Sequence, residues 1–486
     1  MSQDMCSRSS EGLRVILPPE RIDRRTGFGL TGGADAFAYR PTTVTEIADL
    51  LALARRSGRK VVLRGKGRSY GDAAYLAEAV MIDLTRFDRI LSWDPASGRL
   101  EVEAGVTLGD AWRHTLEDGW WPPVVSGTMH VTMGGALAMN IHGKNHFAVG
   151  SLAEYVDEID LLTADGAVQT LYPGREDGLF EAVIGSAGLL GVITRAVLRM
   201  KRLHSGDLRV LPLSCASWAE QFAAFDSLLD STCPPDYLVS WVDAFARGTA
   251  AGRGLIHAAW YTDEAGARPA SLTLAHQELP DTILGFLPKS RMWRHMRCLN
   301  HRLGMRMVNA AKYRSSRLLG IGKPHPQSLA EFSFLLDYVP NWEWAYLPGG
   351  LIQHQAFVPR DAAPKIFARQ LAMCRATKQE PFLAVLKRHR PDPFLLTWAL
   401  DGYSLALDFK VVPGRWPRLL NLCHQMNDLV LEHGGRFYFA KDSTLRPDDV
   451  RSYLGEAALN RFLALRSELD PEGLFATSLA RRLELV

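Results

Sequence analysis

The sequence predicts an α+β fold in two parts, with the chain leaving the first part and later returning to it. Three observations predict this. Residues 1–205 alternate short apolar runs, helical periods and glycine turns. From about residue 206 the glycine clusters thin out, and tryptophan and longer helical stretches take their place. At Gly434-Gly435 a glycine turn followed by a strand at 436–439 restores the first texture. The expected units are therefore 1–205, a second unit at 206–435 built on an antiparallel sheet with helices, and a C-terminal return at 436–486.

The elements follow in order. Thr43 and Glu46 form a capping-box pair, in which each side chain can satisfy a backbone donor at a helix start. Ile47, Leu50, Leu51 and Ala54 recur at helical spacing, and Gly58 is the stop signal. The apolar run 60–63 reads as a strand feeding into Arg64-Gly-Lys-Gly-Arg-Ser-Tyr-Gly-Asp72. Runs 89–93 and 99–103 flank Asp94-Pro-Ala-Ser-Gly98, a hairpin signal. Runs 159–163 and 167–171 form a second hairpin around Ala164-Asp-Gly166. In the second unit Ile352-Gln-His-Gln-Ala-Phe357 alternates, so Gln353 and Gln355 share a strand face. Between 291 and 317 eight basic residues, from Arg291 to Arg317, interleave with Trp293, Met296, Leu299, Leu303 and Met307. Such a basic amphipathic stretch can lie on an anionic membrane surface, or it can be a solvated helix face.

Bulk properties narrow the function. The chain has 486 residues, 47% of them hydrophobic and 22% charged, enough for a substantial core. A net charge of +3 is too small to make nucleic acid the main partner. The six cysteines include no CxxC pair and no zinc spacing, so reduced thiols and no metal are expected. Residues 1–14 are polar and lack the apolar core of a signal peptide, and no run of about 18 apolar residues occurs. A cytoplasmic location is expected on that basis.

The chemistry concentrates in glycine-rich loops. The loop Gly65-Lys-Gly-Arg-Ser-Tyr-Gly71 follows a strand, and its glycines let the backbone turn sharply and present N–H groups to an anion. Three more follow: Ser126-Gly-Thr128 leading into Val131-Thr-Met-Gly-Gly-Ala136, then Asn140-Ile-His-Gly-Lys-Asn-His146, then Gly185-Ser-Ala-Gly-Leu-Leu-Gly191. One loop alone would be a turn, but four within about 130 residues suit an extended dinucleotide. Neither the P-loop pattern nor a GxGxxG with its helix and acidic residue is present, which disfavours an ordinary Rossmann dehydrogenase.

These stretches resemble the FAD-binding half of the vanillyl-alcohol-oxidase (PCMH-type) superfamily, and within it the decaprenylphosphoryl-β-D-ribose oxidases, flavin subunits of ribose-to-arabinose epimerases. The likeness rests on Gly67-Arg-Ser-Tyr-Gly-Asp72, Ile141-His-Gly-Lys-Asn-His146 and Leu161-Leu-Thr-Ala-Asp-Gly166. Gly434-Gly-Arg436, Ala440-Lys-Asp-Ser443 and Ala480-Arg-Arg-Leu-Glu-Leu485 add to it. The resemblance implies that FAD is lined by Arg64, Gly65, Lys66, Gly67, Arg68, Ser69, Tyr70, Gly71 and Asp72. It extends that lining to Gly127, Thr132, Met133, Gly134, Gly135, Met139, Asn140, Ile141, His142, Ile193 and Tyr438. Many superfamily members attach the flavin covalently through a histidine. Arg68 occupies that position here and cannot form the bond, so the FAD is expected to be non-covalent.

The resemblance also implies roles. Lys441 would face the flavin and stabilise the negative charge that develops on it. His142 is the candidate base for the hydroxyl proton, with Tyr70 as its partner. Trp241, Gln353, Gln355 and Lys387 would form the substrate pocket, Lys387 as a point charge for phosphate. Three positions depart from the family: its cysteine falls at Ala406, its asparagine at Ser404 and a pocket tyrosine at Ser333. The implied reaction oxidises a secondary sugar hydroxyl, most closely the 2′-hydroxyl of a polyprenyl-phosphate-linked ribose. The ketone would pass to a separate NAD-dependent short-chain reductase, and 291–317 would touch the membrane. A soluble sugar, alditol or natural-product intermediate is the alternative substrate that the three departures favour. A flavin-binding scaffold is the non-enzymatic alternative, which Lys441 and His142 disfavour.

Overall fold

In a computed structural model, residues 15–262, 270–283, 287–318 and 322–486 are described. The polar segment 1–14, with Cys6, lies outside them. The fold is α+β.

Two sheets form from the first 200 residues. The smaller has four strands in the order Ile22–Thr26, Gly33–Tyr39, Val80–Asp83, Val61–Arg64, with the last three parallel. Parallel neighbours need a crossover, and the Val44–Ser57 helix supplies one. Thr43 caps it by accepting from the Glu46 N–H, and Gly58 ends it at φ 66°. The predicted capping box is only half formed. The Glu46 carboxylate accepts from the Thr42 N–H, one residue earlier than expected. The five-stranded sheet runs Ile90–Asp94, Arg99–Glu103, Val192–Arg199, Val156–Leu162, Val168–Leu171, all antiparallel, and contains both predicted hairpins.

From Asp207 the chain enters an eight-stranded antiparallel sheet. Its order is His325–Ser328, Asp207–Cys215, Gly254–Tyr261, Tyr237–Val242, Leu383–His389, Gly402–Lys410, Leu351–Pro359, Arg436–Phe437. Helices Trp218–Leu229, Ala363–Ala376 and Trp416–Leu431 cover one face, burying Ile352, Ala356, Leu386, Leu405 and Leu407. The sequence assigned 436–439 to the return. Arg436–Phe437 instead pairs with Leu351–Pro359, so the crossing comes after Phe437. Beyond it, Phe475 bridges Val61 and the Leu479 N–H bonds the Asp72 carbonyl, which seats the C-terminus on the first sheet.

The basic stretch is two helices, Met292–Leu299 and Arg302–Leu318. Its apolar residues divide. Met296 packs inward and Trp293 lies edge-on to Trp344 at 5.4 Å, while Leu299, Leu303 and Met307 are exposed. Among the described residues, no helix is long and apolar enough to cross a membrane, and no cluster of histidine, cysteine or carboxylate could hold a metal. The five described cysteines are free thiols.

Candidate active site

The strand Val61–Arg64 delivers the loop 65–72 to the junction of the sheets. The N–H groups of Lys66, Gly67, Arg68 and Ser69 meet no backbone carbonyl among the described residues, and Gly67 turns at φ 64°. Consecutive free N–H groups of this kind suit an anion. Glycine is required by close approach: a Cβ on Gly65 would stand 2.1 Å from Thr132 Oγ1, and one on Gly71 1.9 Å from the Asp442 carbonyl oxygen. The Tyr70 N–H bonds the Ala440 carbonyl at 2.8 Å. Loops 64–72, 132–135 and 440–443 therefore meet.

Some of the expected lining residues have other partners. The Arg64 guanidinium donates to the Thr26 and Ala74 carbonyls, both at 3.0 Å, and Asp72 accepts from Arg482 at 2.8 and 2.9 Å. These two side chains brace the loop. The Met133 and Gly134 N–H groups are engaged by the Val106 and Ala104 carbonyls, and the Met133 side chain is in the core. Ile193 is buried in the strand Val192–Arg199.

The opposite wall is the face of the eight-stranded sheet turned away from its three covering helices. Strand pairing sets Gln353 opposite Asp408, Gln355 opposite Ala406, and Lys387 opposite both Ser404 and Val239. Trp241 lies opposite Val385 on the same face. Gln353 and Gln355 thus share a face, as predicted, and share it with Lys387 and Trp241, while His354 points away to Asn427. The Gln353 amide donates to Asp408 at 2.5 Å. The Gln355 amide nitrogen lies 3.3 Å from His142 Nε2 and 3.3 Å from Ser404 Oγ, and Ser404 Oγ lies 2.7 Å from His389 Nε2.

An amide NH₂ only donates, so His142 Nε2 is the accepting nitrogen and its proton sits on Nδ1, 3.4 Å from the Gly143 carbonyl. Trp398, His389 and Tyr438 enclose the ring at 4.7, 5.1 and 5.4 Å between centroids. Burial, with Lys387 adding to it, holds the imidazole well below its usual pKa. His142 is therefore a neutral base with a lone pair turned toward Gln355. Tyr70, expected beside it, is elsewhere: its ring lies 3.9 Å under Lys441 Nζ and 5.1 Å from Phe28. Burial pushes the Tyr70 phenol well above its usual range, and its hydroxyl has no hydrogen-bond partner among the described residues. Burial also lowers Lys441 and raises Asp408, each partly offset by the other.

A family profile described as an FAD binding domain matches residues 36–172. The chain is 31% identical to decaprenylphosphoryl-β-D-ribose oxidase of Mycolicibacterium smegmatis, over 96% of this chain and 99% of that protein. The chain belongs to this family of FAD-binding oxidoreductases. More partial matches are L-gulonolactone oxidase of Mus musculus, 32% identical over 33% of this chain and 36% of that protein, and cytokinin dehydrogenase 2 of Arabidopsis thaliana, 30% identical over 40% of this chain and 41% of that protein.

FAD is the family's cofactor, and this chain's residues fit it. The free N–H groups of 66–69 suit its pyrophosphate. Among the described residues Arg68 Nε, the Tyr70 hydroxyl and Ser443 Oγ are buried polar atoms without a hydrogen-bond partner, which a polar cofactor could satisfy. Sequence reasoning about this oxidoreductase missed Asp408, Trp398, His389 and Lys144. Asp408 was within reach of it, since period-two alternation puts it on the face of Ser404 and Ala406. Trp398 and His389 carried no signal, because they arrive from a loop and a strand end more than 240 residues from His142.

Proposed function

We propose that this chain oxidises a secondary sugar hydroxyl to a ketone, and that the substrate is a polyprenyl-phosphate-linked ribose oxidised at its 2′-hydroxyl. The observation that carries the reading is the neutral, accepting Nε2 of His142 on the face shared by Gln355 and Lys387. His142 takes the hydroxyl proton. Gln355 and Gln353 orient the sugar, and Lys387 meets its phosphate as a point charge. Bound FAD supplies the acceptor for the hydride from the carbinol carbon. Lys441 brings an amine to the end of the site where Tyr70 lies, and its protonated form, which Asp408 favours, stabilises negative charge arriving there. Arg68 makes the cofactor non-covalent, so acid precipitation should release the flavin into the supernatant.

Exposed Leu299, Leu303 and Met307, flanked by exposed Arg294, Arg297, Arg306 and Arg314, support contact with an anionic membrane holding such a lipid. The ketone then passes to an NAD-dependent short-chain reductase, completing epimerisation. A second reading, oxidation of a soluble sugar, alditol or natural-product intermediate, draws on Ala406, Ser404 and the unpaired hydroxyl of Ser333. Anaerobic mixing of FAD-loaded protein with a short-chain prenyl-phosphoryl-ribose should bleach the flavin far faster than free pentoses or alditols do. Bleaching by the free compounds alone would overturn the lipid-linked substrate in favour of the second reading.

A further inference from the structure

We propose that the sheet face beyond Lys387 is a channel for the substrate's phosphoryl group, and that Lys312, carried on the Arg302–Leu318 helix, is its outermost cation. The inference rests on the sugar-phosphate reading and adds residues to it. Strand pairing continues the row from Lys387 through Val239 to His257, so these share the pocket face. Adjacent strands lie about 4.8 Å apart, which puts His257 roughly 10 Å from Lys387. Lys312 reaches the same face from above, with its Nζ 4.6 Å from the Trp241 ring. Lys144, from the His142 loop, is held to the Phe332 carbonyl and lies over the Phe332 ring at 4.4 Å.

The cations on this row lack counter-charges. Among the described residues neither the Lys387 nor the Lys312 ammonium forms an ion pair or a hydrogen bond. Carboxylates on the flanking segments are already engaged: Asp243 by Arg253 at 2.6 Å, Glu380 by Arg302 at 2.6 Å. Like charges repel, so gathering several cations with no anion is costly unless a ligand supplies it.

Water reaches Lys144, Lys387 and His257 in part and Lys312 more freely, yet burial lowers all four: Lys144 to about 7, Lys387 and Lys312 to about 8, His257 to about 4. Half-buried Lys144, Lys387 and His257 beside exposed Lys312 describe a wetted stretch of this sheet face. Beside it Trp241, Leu255, Tyr313 and Leu383 form an apolar cluster, which suits the hydrocarbon side of a prenyl phosphate ester. The Arg302–Leu318 helix thus divides its faces: Asn309 and Tyr313 are buried inward, while Leu303 and Met307 stand outward.

The test is calorimetric titration of FAD-loaded protein with geranyl phosphate, a soluble prenyl phosphate without the sugar, and with geraniol as control. Wild type should bind the phosphate and not the alcohol. Lys312→Ala should weaken binding about tenfold or more, the size expected for a contact with a charged group. Lys312→Arg should restore most of it, and the milder Lys312→Gln should weaken it as Lys312→Ala does. Equal affinity in wild type, Lys312→Ala and Lys312→Gln would overturn this inference and leave the sugar-phosphate reading standing. No binding by wild type, with its flavin bleached by a free alditol, would overturn both.

Discussion

Replacing Arg482 with methionine should detach the loop 65–72 from the C-terminal segment. Arg482 donates to Asp72 at 2.8 and 2.9 Å, to Asp442 at 2.8 Å and to the Leu445 carbonyl at 2.8 Å. The Asp442 side chain is 3% exposed, that of Asp72 17% and that of Arg482 28%. Asp442 cannot swing away, because its other oxygen accepts from the Thr444 and Leu445 N–H groups at 2.7 and 2.9 Å. Methionine fills the volume but leaves two carboxylates facing each other. Breaking a buried pair costs about 3–5 kcal/mol. Partial exposure of Arg482 and Asp72 reduces this to about 2–4 kcal/mol. Urea unfolding of the FAD-free protein, followed by tryptophan fluorescence, should show that loss, and FAD should bind more weakly. Lys at 482 should recover only part, since one ammonium cannot reproduce the guanidinium fork. A loss below about 0.5 kcal/mol with unchanged FAD affinity would refute the clamp.

Two further outcomes follow from buried charge. His146 is buried and held at about 3 against its ordinary 6.5. Between these values the unfolded chain binds a proton that the folded chain does not, so stability is full above pH 6.5 and is lost as pH falls. The loss at pH 5 is about 2 kcal/mol. The drop in urea midpoint from pH 7 to 5 should shrink in His146→Gln, and an unchanged drop would contradict the assignment. Lys441→Met should slow flavin reduction by substrate about 10²–10³-fold, the range for losing one preorganised charge-stabilising donor. Anaerobic stopped-flow absorbance reads this directly, and a wild-type rate would remove Lys441 from the mechanism.

Local elements were legible because neighbours in sequence decide them. The Val44–Ser57 helix, both hairpins and the shared face of Gln353 and Gln355 follow from periods of 3.6 and 2 and from glycine at stops. The half-formed capping box marks the limit of such reasoning, since Glu46 had two N–H donors within reach and took the one from Thr42. Partner choice was less legible. Arg64 and Asp72 belong to a motif expected to meet the cofactor, yet their side chains turn to Thr26, Ala74 and Arg482. Tyr70 sits under Lys441, a residue 371 positions away, and that contact depends on how the loop from Phe437 crosses back.

By itself, then, the sequence determined the backbone chemistry of this protein. Glycines at 65, 67 and 71 leave N–H groups free and admit close neighbours. The alternating strands carry the pocket side chains on one face. Only the tertiary structure decided the charges. His142 is neutral because Trp398, Tyr438 and His389 shut out water around it. Lys312, which reads in sequence as one more cation on a basic helix, lies over the Trp241 ring because the strand carrying that ring passes beneath it. The physical reason is the same in both cases: backbone propensity is local, whereas desolvation and charge pairing are properties of whatever the rest of the chain brings alongside.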